Sequence, residues 1–207
     1  MQHIRIKYNK GEELKFIGHL DLMRVFERGV RRAGIPIAYS QGFNPKMRIS
    51  YGTPLPLGIT SEAEYADFEI NGWIKPDELK TKLNSSLPEG LKVIEAILIG
   101  PKEDSLMAKT EAVEYVVDLP AGTNNIKERI KEALDKKELK IKRKRKDSIK
   151  EIDIRPMIGS LEFDGNAIRM VVQSNSKGAV KPEEVLSILG VEEAKIKRTK
   201  QFPLDQK

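Results

Sequence analysis

The sequence predicts an α+β protein built as two ferredoxin-like (β-α-β-β-α-β) domains in tandem, each with an antiparallel sheet. Three observations predict it. Short alternating runs mark strands, and longer segments with apolar residues three and four apart mark helices. The same order of elements then occurs twice along 207 residues. The repeat is one of order alone, because the two halves do not align residue by residue. The polar stretch 100–109 is the expected boundary. It separates an N-terminal domain, residues 1–100, from a C-terminal domain, residues 110–207, that carries a basic strand.

In the first half, residues 2–8 alternate with Ile4 and Ile6 on one face, as a half-buried strand does. At about 100° per residue, the helix after His19 places Leu22, Phe26, Gly29, Val30 and Ala33 on one side. Gly29 is costly in a helix interior and fits best where another element packs closely. Gly34 and Pro36 end the helix. Residues 37–39 read as a short strand, 40–46 as a polar loop and 48–51 as another strand. Beyond the punctuated link TPLPLG, residues 64–70 form a longer strand. The nearby acids Glu62, Glu64, Asp67 and Glu69 read as solvent contacts rather than metal ligands. A second helix opens at Pro76 with Asp77 and Glu78 in its first turn, and 91–99 is an apolar strand.

The second half repeats the order. Residues 114–119 form a strand, and 124–134 form a helix with Ile126, Ile130, Ala133 and Leu134 at helical spacing. A basic strand, 139–144, follows. The extended segment 149–161 is broken by Pro156 and Gly159. Phe163 and 168–173 make a hairpin around Asp164-Gly165-Asn166, a good turn sequence. Residues 182–189 form a short helix stopped by Gly190, and 194–201 form the last strand.

Composition excludes several chemistries. There is no cysteine and there are two histidines, His3 and His19. A disulfide framework, a thiolate zinc site and a cysteine-held iron–sulfur cluster are therefore ruled out. No metal and no cofactor is expected. No apolar run approaches the roughly 20 residues of a membrane span, and residues 1–10 do not resemble a signal peptide. A soluble cytoplasmic protein without membrane contact is expected. P-loop, GxGxxG and nucleophile-elbow patterns are absent, so no motif supports catalysis. Lys and Arg total 37 against 31 acids, a moderate formal charge of +6.

That excess is uneven. Arg24, Arg28, Arg31 and Arg32 share the helix arc opposite the apolar side, with Glu27 the sole acid among them. Guanidinium forks match phosphate geometry, which points to a polyanion. Glu27 could instead bridge Arg24 and Arg31 in an ordinary exposed ion-paired face. The following loop contributes Tyr39, Gln41, Phe43, Asn44, Lys46 and Arg48. Stacking rings, amide edges and cations together are what unpaired bases require. Equally, Tyr39 and Phe43 could cover the core. His19 is a weak candidate for a general base, and a core-edge ring is its commoner role. The run Lys140 to Lys146 reads as a solvated edge strand protected by lysines, or as a contact for nucleic acid or an acidic protein. Lys195, Lys197, Arg198 and Lys200 add cations on the last strand.

The stretch FIGHLDLMRVFERGVRRAGIPIAYSQGFNPKMRISYGTPLPLGITSEAEY resembles the signature of the radical SAM-linked protein family, whose function is uncharacterised. The pattern falls on Gly18-His19-Leu20-Asp21-Leu22, Arg24, Arg31-Arg32-Ala33-Gly34, Tyr39 to Pro45 and Ser50. Members stand alone or are fused to a radical SAM enzyme, and stand-alone ones are often encoded near that enzyme and a ribonuclease of the E/G type. Many relatives carry His-Pro where this chain has Lys46-Met47, which weakens a catalytic reading of the loop. The resemblance implies a radical SAM enzyme as partner. A radical SAM enzyme needs three cysteines for its cluster, so this chain is not that enzyme. Three functions follow as expectations: a non-catalytic accessory module that binds RNA; a metal-independent endoribonuclease of CRISPR-processing-like fold; or a subunit that docks on the enzyme.

Overall fold

A computed structural model describes residues 1–101, 103–145, 148–175 and 178–205. The chain divides into two compact units, Met1–Thr110 and Glu111–Lys207. Each has a mixed α+β fold in which helices accompany an antiparallel sheet.

In the first unit the order is β1 (Gln2–Lys10), α1 (His19–Arg32), β2 (Ile49–Tyr51), β3 (Thr60–Ile70), α2 (Pro76–Asn84), β4 (Leu91–Ile99) and α3 (Leu106–Lys109). The strands lie side by side as β4-β1-β3-β2, every neighbour antiparallel. Ile4, Ile6 and Tyr8 of β1 and Ala66, Phe68 and Ile70 of β3 pack with Leu22, Phe26 and Val30 of α1 and with Leu79 and Leu83 of α2. Burying each large apolar side chain contributes roughly 1.5–3 kcal/mol. Phe26 is the hub, with its ring centroid 4.8 Å from Tyr8, 6.0 Å from Tyr51 and 6.4 Å from Phe68. Gly29 is required by close approach: a Cβ there would lie 2.9 Å from Leu87 Cδ2.

The acids of β3 do not face solvent as a group. Arg5 donates from Nε and Nη2 to both carboxylate oxygens of Asp67 at 2.8 Å each, and Arg5 is buried. Glu64 is buried and accepts from the Ser61 hydroxyl at 2.6 Å, Glu69 holds Arg48, and Glu62 is exposed. The reason is position: β3 is an interior strand, so alternation gives it a second face that neighbours cover. The segment 100–109 is likewise not a plain linker. Ser105 accepts from the Ala108 N–H to cap α3, and fully buried Leu106 brings α3 against β2 and β3.

In the second unit the order is β5 (Ala112–Asp118), α4 (Ile126–Asp135), β6 (Lys140–Arg145), β7 (Ser148–Asp153), β8 (Ile158–Phe163), β9 (Ala167–Asn175), β10 (Gly178–Ala179), α5 (Pro182–Ile188) and β11 (Lys195–Phe202). Its sheet runs β11-β5-β9-β8, and β10 pairs with the end of β9. The Asp164-Gly165-Asn166 turn joins β8 to β9, with Gly165 at φ +103 and the Ala167 N–H on the Asp164 carboxylate.

The basic strand is placed differently from the expectation. β6 is no edge of the main sheet; it pairs with β7 in a separate two-stranded ribbon. The sheet position is filled by β8, which buries Ile158 and Leu161. Charge explains the exchange. β6 has a single apolar residue, Ile141, and cannot present an apolar row to a helix without burying cations. Lys146 of the basic run lies outside the described residues. On β11, Arg198 belongs to no surface patch: it is buried, donates to the Tyr115 hydroxyl at 3.1 Å and lies over that ring.

Phe26→Ala should lower the unfolding free energy by about 3–5 kcal/mol. Urea denaturation followed by circular dichroism measures it, and a loss below about 1 kcal/mol would remove Phe26 from its central place.

Candidate functional site

Lys10 sets where α1 begins. Its buried ammonium donates to the carbonyls of Lys15 and Ile17 at 3.3 and 3.0 Å, fixing the turn that leads into Gly18. Gly18 is the N-cap and gives no side-chain bond, so helix geometry starts at His19 from this anchor. With Leu22, Phe26, Gly29 and Val30 buried, the arginine arc must face outward, and Arg24, Arg28, Arg31 and Arg32 are all exposed.

Their surroundings differ. Arg24 pairs with Asp21 at 2.9 Å on the first turn, an exposed contact worth little. Arg32 donates to the Ser86 carbonyl just beyond α2, where a cation meets the negative end of a helix. Arg28 and Arg31 have no ion pair or side-chain hydrogen bond among the described residues. Glu27 does not bridge them; it is half-buried beside Tyr51.

Beyond α1 the chain returns to the sheet through Ile37, which bridges Ile70, and then turns out into the loop. The loop is stapled at its base. Ala38 N–H donates to Glu69 O, Arg48 N–H to Ala38 O and Glu69 N–H to Arg48 O, at 2.8, 2.8 and 3.0 Å. Tyr39 bridges Met47, the Ser40 N–H donates to Lys46 O at 2.9 Å, and the Lys46 N–H donates to Ser40 Oγ at 3.0 Å. Only the tip, residues 41–45, projects freely. Gly42 sits there at φ +138, backbone that favours glycine.

Phe43 decides between the two readings of this loop. Its ring is fully exposed at the tip and covers no core. Gln41, Asn44 and Lys46 are exposed beside it, and Tyr39 is partly so. Arg48 is less available, since Glu69 holds it at 2.9 Å. β2 runs parallel to β1 and α1 runs back along them. The C-terminal end of α1 and the loop before β2 therefore lie at one end of the sheet. Arg31, near the C-terminal end of α1, therefore lies toward the same end of the sheet as the tip, and Arg24 lies nearer the helix start.

His19 sits at the other end of β2. Its ring stands edge-on to Tyr51, with centroids 5.8 Å apart and planes at 86°. This is a packing contact at the core edge. Tyr51 carries a feature that no sequence pattern indicated: a buried hydroxyl without a hydrogen-bond partner. Burial first, and the Glu27 carboxylate second, push its pKa well above the usual tyrosine range. Among the described residues no group of three His, Asp or Glu is placed to hold a metal ion. No described helix is long and apolar enough to cross a membrane. The depression lined by Asp118, Leu119, Pro120, Glu193, Ala194 and Lys195 includes none of the loop or arginine residues.

Sequence reasoning also missed exposed apolar residues around the start of α1. Phe16, Leu20 and Leu57 are 74, 68 and 60% exposed. The Gly58 N–H donates to Lys15 O at 2.9 Å, and a Cβ at Gly58 would lie 3.6 Å from the Phe16 ring. Phe16 and Leu57 lie outside helices and strands and Leu20 sits at the very start of α1, so periodicity does not mark their exposure and only the fold reveals it.

The molecule is thus a mixed α+β protein with an outward arginine helix and a rigidly based aromatic loop. Residues 3–182 match the family described as an uncharacterized protein conserved in bacteria (DUF2344), and the chain belongs to that family. No curated protein matches it. Among solved structures, a chain of a Cbf5-Nop10-Gar1 complex overlays at TM-score 0.49 and 11% identity, covering 100% of this chain and 50% of that one. This chain therefore spans half the length of that relative. An unknown protein from Galdieria sulphuraria overlays at TM-score 0.26 and 11% identity, covering 95% of this chain and 98% of that one.

Tyr51→Phe should raise stability by about 1 kcal/mol, because it removes a buried hydroxyl that has exchanged water for nothing. The parent should also lose stability as pH rises past 10, the ordinary tyrosine value, since the unfolded chain then releases a proton that the folded one keeps. That part of the decline should be missing in Tyr51→Phe. Denaturant midpoints across neutral and alkaline pH measure both, and identical curves would mean that the hydroxyl is solvated.

Proposed function

We propose that this protein is a non-catalytic accessory module that binds RNA and works with a radical SAM enzyme, and that each unit is a ferredoxin-like domain. The strand orders β4-β1-β3-β2 and β11-β5-β9-β8, each threaded β-α-β-β-α-β apart from the inserted ribbon, support the domain reading. The observation that carries the binding reading is Phe43. A phenyl ring held fully in water on a stapled loop loses hydrophobic stabilisation, and nothing in its own unit recovers it. A stacked base recovers it, at about 1–3 kcal/mol. Gln41 and Asn44 offer amide edges beside the ring. Lys46, Arg28 and Arg31 are exposed cations for phosphates, with Arg24, Arg32 and Arg48 held in internal contacts and contributing field more than grip. Tyr39, partly exposed at the base of the loop, offers a second ring.

The radical SAM partner rests on the sequence resemblance between Phe16 and Tyr65. Lacking cysteine, this chain holds no cluster of that kind, so radical chemistry belongs to the partner and substrate grip to the module. The nuclease reading gains nothing: His19 is packed on Tyr51, and among the described residues no hydrogen bond joins it to Lys46 or Arg48. Docking on an enzyme has its own support in the exposed Phe16, Leu20 and Leu57. A module with both surfaces can hold the RNA and the enzyme at once.

Labelled single-stranded RNA titrated in EDTA across a salt series tests the proposal. Log affinity should fall with log salt by about 0.7 for each phosphate contacted. Arg28→Glu with Arg31→Glu should weaken binding at least about tenfold, and Phe43→Ala should cost about 1–3 kcal/mol, with no change in melting temperature. Unchanged affinity in both variants would overturn RNA binding at this site.

A further inference from the structure

The β6–β7 ribbon is built differently from the loop. Its base is fixed: Ile154 N–H donates to Leu139 O at 2.9 Å, and the Asp153 carboxylate accepts from the N–H groups of Leu139 and Arg155 at 2.7 and 3.0 Å. Halfway along, Arg143 grips Glu184 of α5 through Nε and Nη2 at 2.6 Å each and donates to Ala179 O at 2.6 Å. Glu184 in turn accepts from the Lys181 N–H, which opens α5. A ribbon tied at base and midpoint is a rigid arm.

What the arm presents is almost purely cationic. Its two strands carry six cations and two carboxylates, and Arg143 is the cation that the anchor uses. Lys142, Lys144 and Lys150 are exposed, and none has an ion pair or side-chain hydrogen bond among the described residues. Lys142 and Lys144 stand about 7 Å apart on one face by strand geometry. Lys150, opposite Arg143, stands on the other. On the Lys142 face, Glu151 stands across from Lys142 with no ion pair among the described residues, and Ile149, 68% exposed, stands across from Lys144.

Equally informative is what the ribbon lacks. Residues 138–155 contain no aromatic ring and no side-chain amide. The exposed lysines have no planar group to stack on a base, so an unpaired strand gains little from them beyond charge. Flexible ammonium groups on both faces suit the two phosphate backbones of a paired stretch, whose dense charge is met without reading sequence.

We propose that the β6–β7 ribbon is a second, sequence-independent binding site for the phosphate backbone of double-stranded RNA, with Lys142, Lys144 and Lys150 as its contacts. This deepens the reading above, on which it rests for RNA as the polyanion. The protein's substrate class then becomes RNA that combines paired and unpaired segments.

The experiment uses the full chain with two fluorescent probes: a blunt RNA duplex of about 16 base pairs and an unstructured single strand, at about 0.15 M salt and across a salt series. The ribbon variant is K142A/K144A/K150A, with K144A/K150A as a milder second, and both should melt as the parent does. The ribbon variant should bind duplex at least about tenfold more weakly, with a salt slope shallower by about 2 to 3, and should bind single strand as the parent does. Duplex affinity within about twofold of the parent, or equal loss on both probes, would overturn the ribbon site, as would a parent that binds no duplex at all. Loss of duplex binding in the ribbon variant, with single-strand binding unmoved by R28E/R31E and F43A, would support the ribbon and sink the loop site instead.

Discussion

Phe26 is the point on which the first unit turns. Its ring meets Tyr8 of β1, Phe68 of β3 and Tyr51 of β2, three strands held through one side chain of α1. Aromatic edges meeting faces fix orientation as well as distance. Once Phe26 is seated with Leu22 and Val30, the helix cannot rotate, and Arg24, Arg28 and Arg31 are committed outward. β2 has only three residues and would be a weak edge alone; Tyr51 under Phe26 and His19 holds it. The loop before β2 inherits a rigid base from that packing.

Several cations of this chain are structural. Arg32 and Arg129 donate to carbonyls just beyond the C-terminal ends of α2 and α5, and Arg155 to the Leu134 carbonyl in the last turn of α4. A helix end leaves carbonyls unsatisfied, and a guanidinium with several donors answers two needs there, hydrogen bonding and the dipole. Arg5, Arg143 and Arg169 are paired with Asp67, Glu184 and Glu114. Lys10 is spent on two carbonyls. A formal excess of +6 is therefore a poor guide to binding. What matters is which cations remain after the fold has used its share, and those include Arg28 and Arg31 of α1, Lys46 of the loop and Lys142, Lys144 and Lys150 of the ribbon.

The two cationic surfaces divide by chemistry. The loop pairs charge with a ring and amides on a base that cannot collapse, because Ser40 and Lys46 lock its neck. The ribbon has charge and almost nothing else. Its separation from the main sheet follows from the same composition, since β6 has no apolar row to offer a helix while β8 has Ile158 and Leu161. A binding arm and a displaced strand are thus two consequences of one run of lysines and arginines.

Much was written locally. The apolar side of α1 was legible because a 3.6-residue period survives any context, and Gly29 announced a close neighbour, which proved to be Leu87. The Asp164-Gly165-Asn166 hairpin was legible because few turns accept another sequence. The arginine arc and the chemical character of the loop could be read as well, since they depend on residue type and spacing alone. Tertiary structure decided the rest. Whether β3 acids met water or Arg5, whether Phe43 covered the core or left it, and which strand filled the sheet beside β9 all depend on segments distant in sequence. Periodicity tells a side chain which way to point, and only the partner element decides what lies there.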